Sequence, residues 1–259
     1  MEIFEAIHKH RSIRKYKPDP VPDELLTEIF EAGIRASSSG NMQVYSIIVT
    51  RDQALREQLS EAHFDQPMVL DAPVHVTFCA DFNRMKKWLE ASDAPFNFDN
   101  FMSFMIAAID ATLVSQNVAL AAEARGLGFC YMGTILANCH KFGEILNLPP
   151  GVVPVVGFSL GYPDEDPEPR DRLPLEGILH QETYQDYSPE RAKEIYREKE
   201  ISGWDRYMAD DWLREMISKH DVKNLAQVYT IVKYTREEHQ EFSQHVLNFI
   251  TDQNYMENE

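Results

Sequence analysis

Apolar positions in this chain recur with helical spacing in some stretches and run unbroken in others, and the change of pattern marks out the elements. In "VPDELLTEIFEAGIRAS" (21–37), Leu25, Leu26, Ile29, Phe30 and Ile34 form one stripe. Pro22 suits the first turn and Asp23 and Glu24 suit the N-terminal dipole, so the pattern predicts an amphipathic helix. Residues 2–9 predict a short helix, "SSSGNMQ" (37–43) a turn, and "VYSIIVT" (44–50) a strand. A helix over 52–62 and a strand at "VHVTFCA" (74–80) follow. The longest apolar stretch predicts a helix from about Asp99 to Arg125, stopped by Gly126 in the left-handed conformation. "GFCYMGT" (128–134) predicts a strand ending in a glycine turn, 140–147 a short helix, and "VVPVVGFSLGYP" (152–163) a buried strand with Pro154 near its start. "PDEDPEPRDRLP" (163–174) is a loop, and from Tyr187 onward the chain reads as helical, polar and tyrosine-rich. Strands and helices mix without strict βαβ alternation, which favours an α+β fold.

Composition narrows the function. The chain has 259 residues, 44% hydrophobic and 26% charged, enough for one sizeable core with an extension. Its 42 acidic against 25 basic residues, net charge -17, exclude nucleic acid and anionic membrane as main partners, because both need a broad basic footprint. Cys79, Cys130 and Cys139 form no C-x-x-C and sit among apolar residues, which suggests core thiols in a reducing compartment. The charged N-terminus "MEIFEAIHKH" does not read as an export signal, so a cytoplasmic protein is expected. Asp110, Gln116, Asn117 and Glu123 interrupt the long apolar stretch, which therefore reads as a core helix rather than a membrane span.

Against that acidic background, "IHKHRSIRKYK" (7–17) packs five cations into nine positions. Arg11 and Arg14, three apart with Ser12 between them, are spaced to converge on one anion, and arginine pairs bidentately with phosphate oxygens. The alternative for the five-residue cluster is a solvated basic face. Arg170 and Arg172 form a second cationic spot, for which local pairing with Glu168, Asp171 and Asp166 is the plainer reading. Other motifs fail in context. Gly126-x-Gly128 follows a helix and lacks the third glycine of a dinucleotide fingerprint. "GFSLG" around Ser159 matches a hydrolase elbow in letters, but the proline-rich "YPDEDPEP" follows where a helix is required. His8 and His10 lie on different helix faces without a third ligand nearby, so no metal site is expected.

Six segments in order, "HRSIRKY", "RASSSGNMQVYSIIVT", "FCADFNR", "AAEARGLGFCYMGT", "VVGFSLGYP" and "RLP", resemble the FMN-dependent nitroreductase family, closest to its NADPH-type nitroreductases and flavin reductases. The resemblance is dense over 1–184 and loose over 185–259. It implies a mixed, mostly antiparallel sheet flanked by helices, in an intertwined homodimer with FMN at the interface. It also implies a core over 1–184 and a helical extension over 185–259 that wraps the partner subunit. By the same resemblance, His10, Arg11, Ser12 and Arg14 correspond to the leading FMN segment, with the arginines on the phosphate. Ser38, Ser39 and Gly40 match a turn that reaches a flavin, and Gln66 a residue near the ring. Tyr131, Met132, Gly133 and Thr134 match the segment alongside the isoalloxazine, where relatives carry a second glycine in place of Thr134. Arg170 and Arg172 match a basic pair that closes on the phosphate. The implied activity is ping-pong electron transfer from NADPH or NADH to nitroaromatics, quinones or free flavin, with no catalytic side chain beyond the cofactor. Arg197, Lys199 and Arg206 are the candidates for an NADPH 2'-phosphate. A non-reductase FMN-binding module on the same fold, and a serine hydrolase at Ser159, are the alternatives.

Overall fold

The computed structural model describes residues 2–257, which form two compact units. One runs to Glu168 and resumes at Phe242, and the other is Pro169–Glu241. The sequence reading puts its boundary at 184/185, whereas these units part inside the proline-rich loop.

The first unit is built on a four-stranded sheet ordered β1-β2-β4-β3, with β1 Tyr45–Thr50, β2 Val74–Asp81, β3 Gly128–Tyr131 and β4 Val152–Gly161. All three pairings are antiparallel. β2 is buried along its whole length, and with it the polar side chains of His75 and Thr77. β3 is short and pairs only with Phe158–Gly161. Pro154 is tolerated in β4 because it lies beyond the reach of β3 and beside the bulge at Phe78/Cys79 of β2.

Helices cover both faces: α1 (Ile3–His8), α2 (Asp23–Gly33), α3 (Gln53–Ala62), α4 (Met68–Asp71), α5 (Asn83–Ala91), α6 (Phe101–Ala124), α7 (Thr134–Ala137) and α8 (Cys139–Ile145). The sequence pattern did not separate α4, α5 and α7, which are short or carry few buried positions. α6 begins where the Asn100 side chain accepts from the Ser103 N–H at 3.1 Å, and it stops before Gly126 at φ 80°. Its inner face, Ala111, Val114, Val118, Ala119 and Ala122, packs with Val76, Phe78, Phe129, Phe158 and Leu160 of the sheet. α6 is long and apolar enough to cross a membrane by length and composition, but this face is core.

Its other face is unlike that of an ordinary surface helix. Met102, Met105, Ile109 and Leu113 follow helical spacing and stand exposed, at 68%, 40%, 51% and 43%. Ile34, expected in the buried stripe of α2, is also exposed, because α2 ends at Gly33 and Ile34 caps it. The three cysteines are buried free thiols, as expected.

The second unit holds α9 (Pro189–Ala209), α10 (Asp211–Lys219), α11 (Leu225–Gln227) and a π-helical turn over Val228–Lys233. Ile217, Val222 and Val228 form its small core. α12 (Arg236–Asp252) starts in this unit and ends in the first.

α2 meets α6 at Gly33, where an added Cβ would stand 2.1 Å from Cγ2 of Val118, a side chain stiff at χ1. Gly33→Ala gains helix propensity but forces these helices apart. The expected net loss is about 1–3 kcal/mol in urea unfolding, partly recovered when Val118→Ala is added. A stabilised single variant would contradict the packing.

Candidate functional site

Three polar side chains on α6 each tie down a segment that the sequence reading singled out. Asp110, 1% exposed at mid-helix, accepts from the Ser38 hydroxyl at 2.5 Å and from the Ser39 N–H at 3.0 Å. The Ser115 hydroxyl lies 3.0 Å from that of Tyr131. Glu123 holds His10 Nδ1 at 2.7 Å, and the His10 ring stacks on Phe129 with centroids 5.2 Å apart.

The basic segment runs extended beside the sheet. The Ile13 N–H donates to the Phe129 carbonyl and the Lys17 N–H to that of Tyr162, both at 2.9 Å, while the Asp164 N–H donates back to Lys15 at 3.0 Å. The Tyr16 hydroxyl, buried and raised far above its usual pKa by that burial, donates to the carbonyls of Ile13 and Ser159. Such close approach requires Gly128, because a Cβ there would lie 2.5 Å from Cγ1 of Ile13.

Carboxylates answer the cations of this segment. Arg11 pairs with Asp166, and Glu165 accepts from the backbone N–H groups of Arg14 and Lys15. The Arg14 guanidinium makes one long contact, 3.5 Å to the Ser12 carbonyl. Lys9, Arg11, Glu123, Gly128, Glu165 and Asp166 line part of a cavity of about 320 Å³. The fit to a phosphate turns on whether Arg11 can exchange partners. Asp166 is 79% exposed, and exposed ion pairs are worth about 0–1 kcal/mol, so a dianionic phosphate would displace it.

The serine turn holds three left-handed residues, Gly40 at φ 57° and Asn41 and Gln43 at φ 54°, with Met42 right-handed between the last two. Ser38 donates to Asp110 and accepts from the Gln43 N–H at 2.8 Å, so its hydroxyl is committed to the turn itself. What the turn can present to a ligand is Ser39 and the backbone at Gly40.

A third cluster surrounds the glycine turn after β3. Gly133 is exposed, with no atom within 4 Å of the place a Cβ would occupy, so a flat ring can approach there. Next to it, the Thr134 hydroxyl meets His63 Nδ1 at 2.7 Å and Gln66 Nε2 at 3.3 Å. Gln66 Nε2 also donates to the His63 carbonyl at 3.1 Å. Behind them His63 Nε2 faces His75 Nε2 at 3.4 Å. Both imidazoles are fully enclosed, and burial pushes His63 down to about 4 and His75 down to about 3. Tyr131 is pushed up to about 12 by burial, and the buried Met132 packs in the core beneath the turn.

Thus Gln66 and Thr134 are brought together, and His10, Arg11, Ser12 and Arg14 line one extended segment joined to β3. Arg170 and Arg172 belong to the second unit, where Arg172 contacts the carbonyls of Arg170 and Asp171 at 3.1 Å. Arg206 of that unit lies 3.8 Å from Asp171 and over the Tyr207 ring, and Arg197 is 3.9 Å from Glu198. Ser159 is fully buried in mid-strand, opposite His75, so no nucleophile elbow exists and the hydrolase alternative falls. The sequence reading did not assign roles to His63, His75, Asp110 and Glu123. For Asp110 and Glu123 a signal was present, since each is a carboxylate within an apolar helix that needs a partner.

The sequence profile of the nitroreductase family matches residues 7–162. A Bacillus subtilis (strain 168) FMN reductase of the NAD(P)H type is 33% identical over 244 residues, covering 86% of this chain and 98% of that protein. An NADPH-flavin oxidoreductase of Vibrio harveyi is 36% identical over 187 residues, covering 71% and 75%. A solved structure from Bacteroides fragilis NCTC 9343 is 39% identical with a TM-score of 0.89, covering 98% of this chain and 100% of that one.

The two buried imidazoles give stability a pH dependence. Each is neutral in the fold but takes a proton near pH 6.5 once unfolded, so acidification favours the unfolded chain until the folded pKa near 4 or 3 is reached. Urea unfolding at pH 6.5 and 5.5 is expected to show a loss of about 2 kcal/mol for the pair, at up to about 1.4 kcal/mol per pH unit for each. Equal stability at both values would contradict their burial.

Proposed function

This chain belongs to the nitroreductase family, and from that membership we propose that it is an NAD(P)H-dependent flavin oxidoreductase holding FMN. It takes electrons from NADPH or NADH and passes them, in a ping-pong exchange, to nitroaromatics, quinones or free flavin. The observation that carries the reading is the anchored basic segment. An acidic chain fixes Arg11 on the border of a cavity, against a carboxylate that an incoming phosphate can replace, with Arg14 three residues on and its guanidinium on no carboxylate among the described residues. FMN, when bound, supplies the redox chemistry. The protein's part is to hold and orient it.

In this reading Arg11 and Arg14 take the phosphate, supported by the Ser12 hydroxyl and by His10, whose ring is held by Glu123 and Phe129. Arg170 and Arg172 are further phosphate ligands by family resemblance. Tyr131 to Thr134 and Gln66 run alongside the ring, with the open turn at Gly133 offering its amide to the reactive edge. Ser39 and Gly40 contact a flavin from the serine turn. Buried free cysteines support a protein of a reducing, cytoplasmic compartment.

The exposed stripe Met102, Met105, Ile109 and Leu113 supports a homodimer in which a second copy covers α6. Apolar faces of this kind mark interfaces in which a domain core is shared between subunits. FMN at that interface, and C-terminal helices wrapping the partner, complete the proposal.

Two measurements test it. FMN titration by flavin fluorescence should show affinity falling about 10–100-fold in Arg11→Ala and in Arg14→Ala, from the loss of charge-assisted hydrogen bonds. Riboflavin, which lacks the phosphate, should lose far less, and unchanged FMN affinity would refute the phosphate role. Sedimentation equilibrium should find a dimer for the natural chain and a monomer for Ile109→Lys. A variant that remains dimeric removes α6 from the interface.

A further inference from the structure

Thr134 follows the open glycine turn, and its hydroxyl is the outermost member of a chain of polar groups that runs into the core. The direction of that chain follows from the donor and acceptor inventory. Gln66 Nε2 donates to the His63 carbonyl at 3.1 Å, and a carbonyl can only accept, so the Gln66 amide orientation is fixed. Its other N–H is then directed at the Thr134 oxygen, 3.3 Å away.

His63 Nδ1, 2.7 Å from the same oxygen, can donate or accept. If it accepts, His63 carries its proton on Nε2 and donates to His75 Nε2, and His75 must then keep its own proton on Nδ1. That atom is buried and has no hydrogen-bond partner. A buried N–H without an acceptor is among the rarest features of a native interior, while an unpaired acceptor is better tolerated. In the other arrangement His75 Nε2–H donates to His63, and His63 Nδ1–H donates to Thr134. Only a lone pair of His75 is then left over. Burial keeps both rings neutral near pH 7, so each has one proton to place.

In this arrangement the two lone pairs of the Thr134 oxygen are occupied, by Gln66 and by His63. Its hydroxyl proton must point elsewhere, toward the open side of the turn at Gly133. We propose that the buried His75–His63 pair, with Gln66, sets the Thr134 hydroxyl as an outward hydrogen-bond donor to a polar atom of the flavin ring, and so tunes the bound flavin toward its reduced state. This rests on the flavin reading above. A donor held in place before reduction favours the form with more negative charge on the ring. Thr134 is then a cofactor ligand that glycine cannot replace, and His63 and His75 are positioning residues.

Two readouts on the FMN-loaded protein test this. Ring-nitrogen NMR of histidine-labelled protein should place the His63 proton on Nδ1 and the His75 proton on Nε2. A His63 proton on Nε2 would overturn the proposal. The midpoint potential of bound FMN should fall in Thr134→Val by about 30 mV, corresponding to about tenfold in relative affinity for the reduced form, and stay at the natural value in Thr134→Ser. Thr134→Val protein that holds FMN at the natural potential overturns this proposal and leaves the flavin reading standing. A natural chain that takes up no FMN overturns both.

Discussion

The arrangement of the first unit depends on one demand: α6 must bury an apolar helix that also carries polar groups. Buried polar groups need partners, and three on α6 find one in a loop or strand of the candidate site. Asp110 fixes the serine turn through Ser38 and Ser39. Ser115 reaches Tyr131 just ahead of the glycine turn, and Glu123 holds His10 at the head of the basic segment. Leaving any of these carboxylates or hydroxyls unpaired would cost about 1–3 kcal/mol, comparable with what a loop gains by being free. The helix therefore sets the position of three segments far apart in sequence. The same helix presents its opposite apolar face outward.

Electrostatics adds a second layer. In a chain of net charge -17, a run of cations attracts carboxylates wherever they are in reach, and Glu165, Asp166 and Glu123 are the ones that meet it here. Their strengths differ by environment. Glu123 is half-buried against His10, whereas Asp166 is largely exposed and its bond to Arg11 is weak in water. Exposed pairs are therefore exchangeable and the enclosed pair is structural. The basic segment is held in shape by the second and left able to bind an anion by the first.

Much of this was legible in the sequence, and for identifiable reasons. Helical periodicity located α2, apolar runs located α6 and β2, and Gly126 marked the end of α6 because its left-handed conformation has a clear residue preference. The clustered cations at 9–17 and the "YMGT" turn were visible as local patterns. Contacts between distant segments were not. Nothing local says that His63, just past the end of α3, meets His75 on β2 and Thr134 on α7, since a histidine at a helix end reads the same in solvent as in a core. The exposure of Ile34 was hidden likewise, because periodicity counts a stripe but not the residue at which its helix stops.

The central claim is electron transfer through a flavin held by this fold. Its most direct test is the visible spectrum of the purified protein with FMN, recorded without oxygen during addition of NADPH or NADH. Oxidised-flavin bands are expected that bleach with at least one nucleotide and return when a quinone or nitroaromatic is admitted. A protein that binds FMN but shows no bleaching with either nucleotide would contradict it.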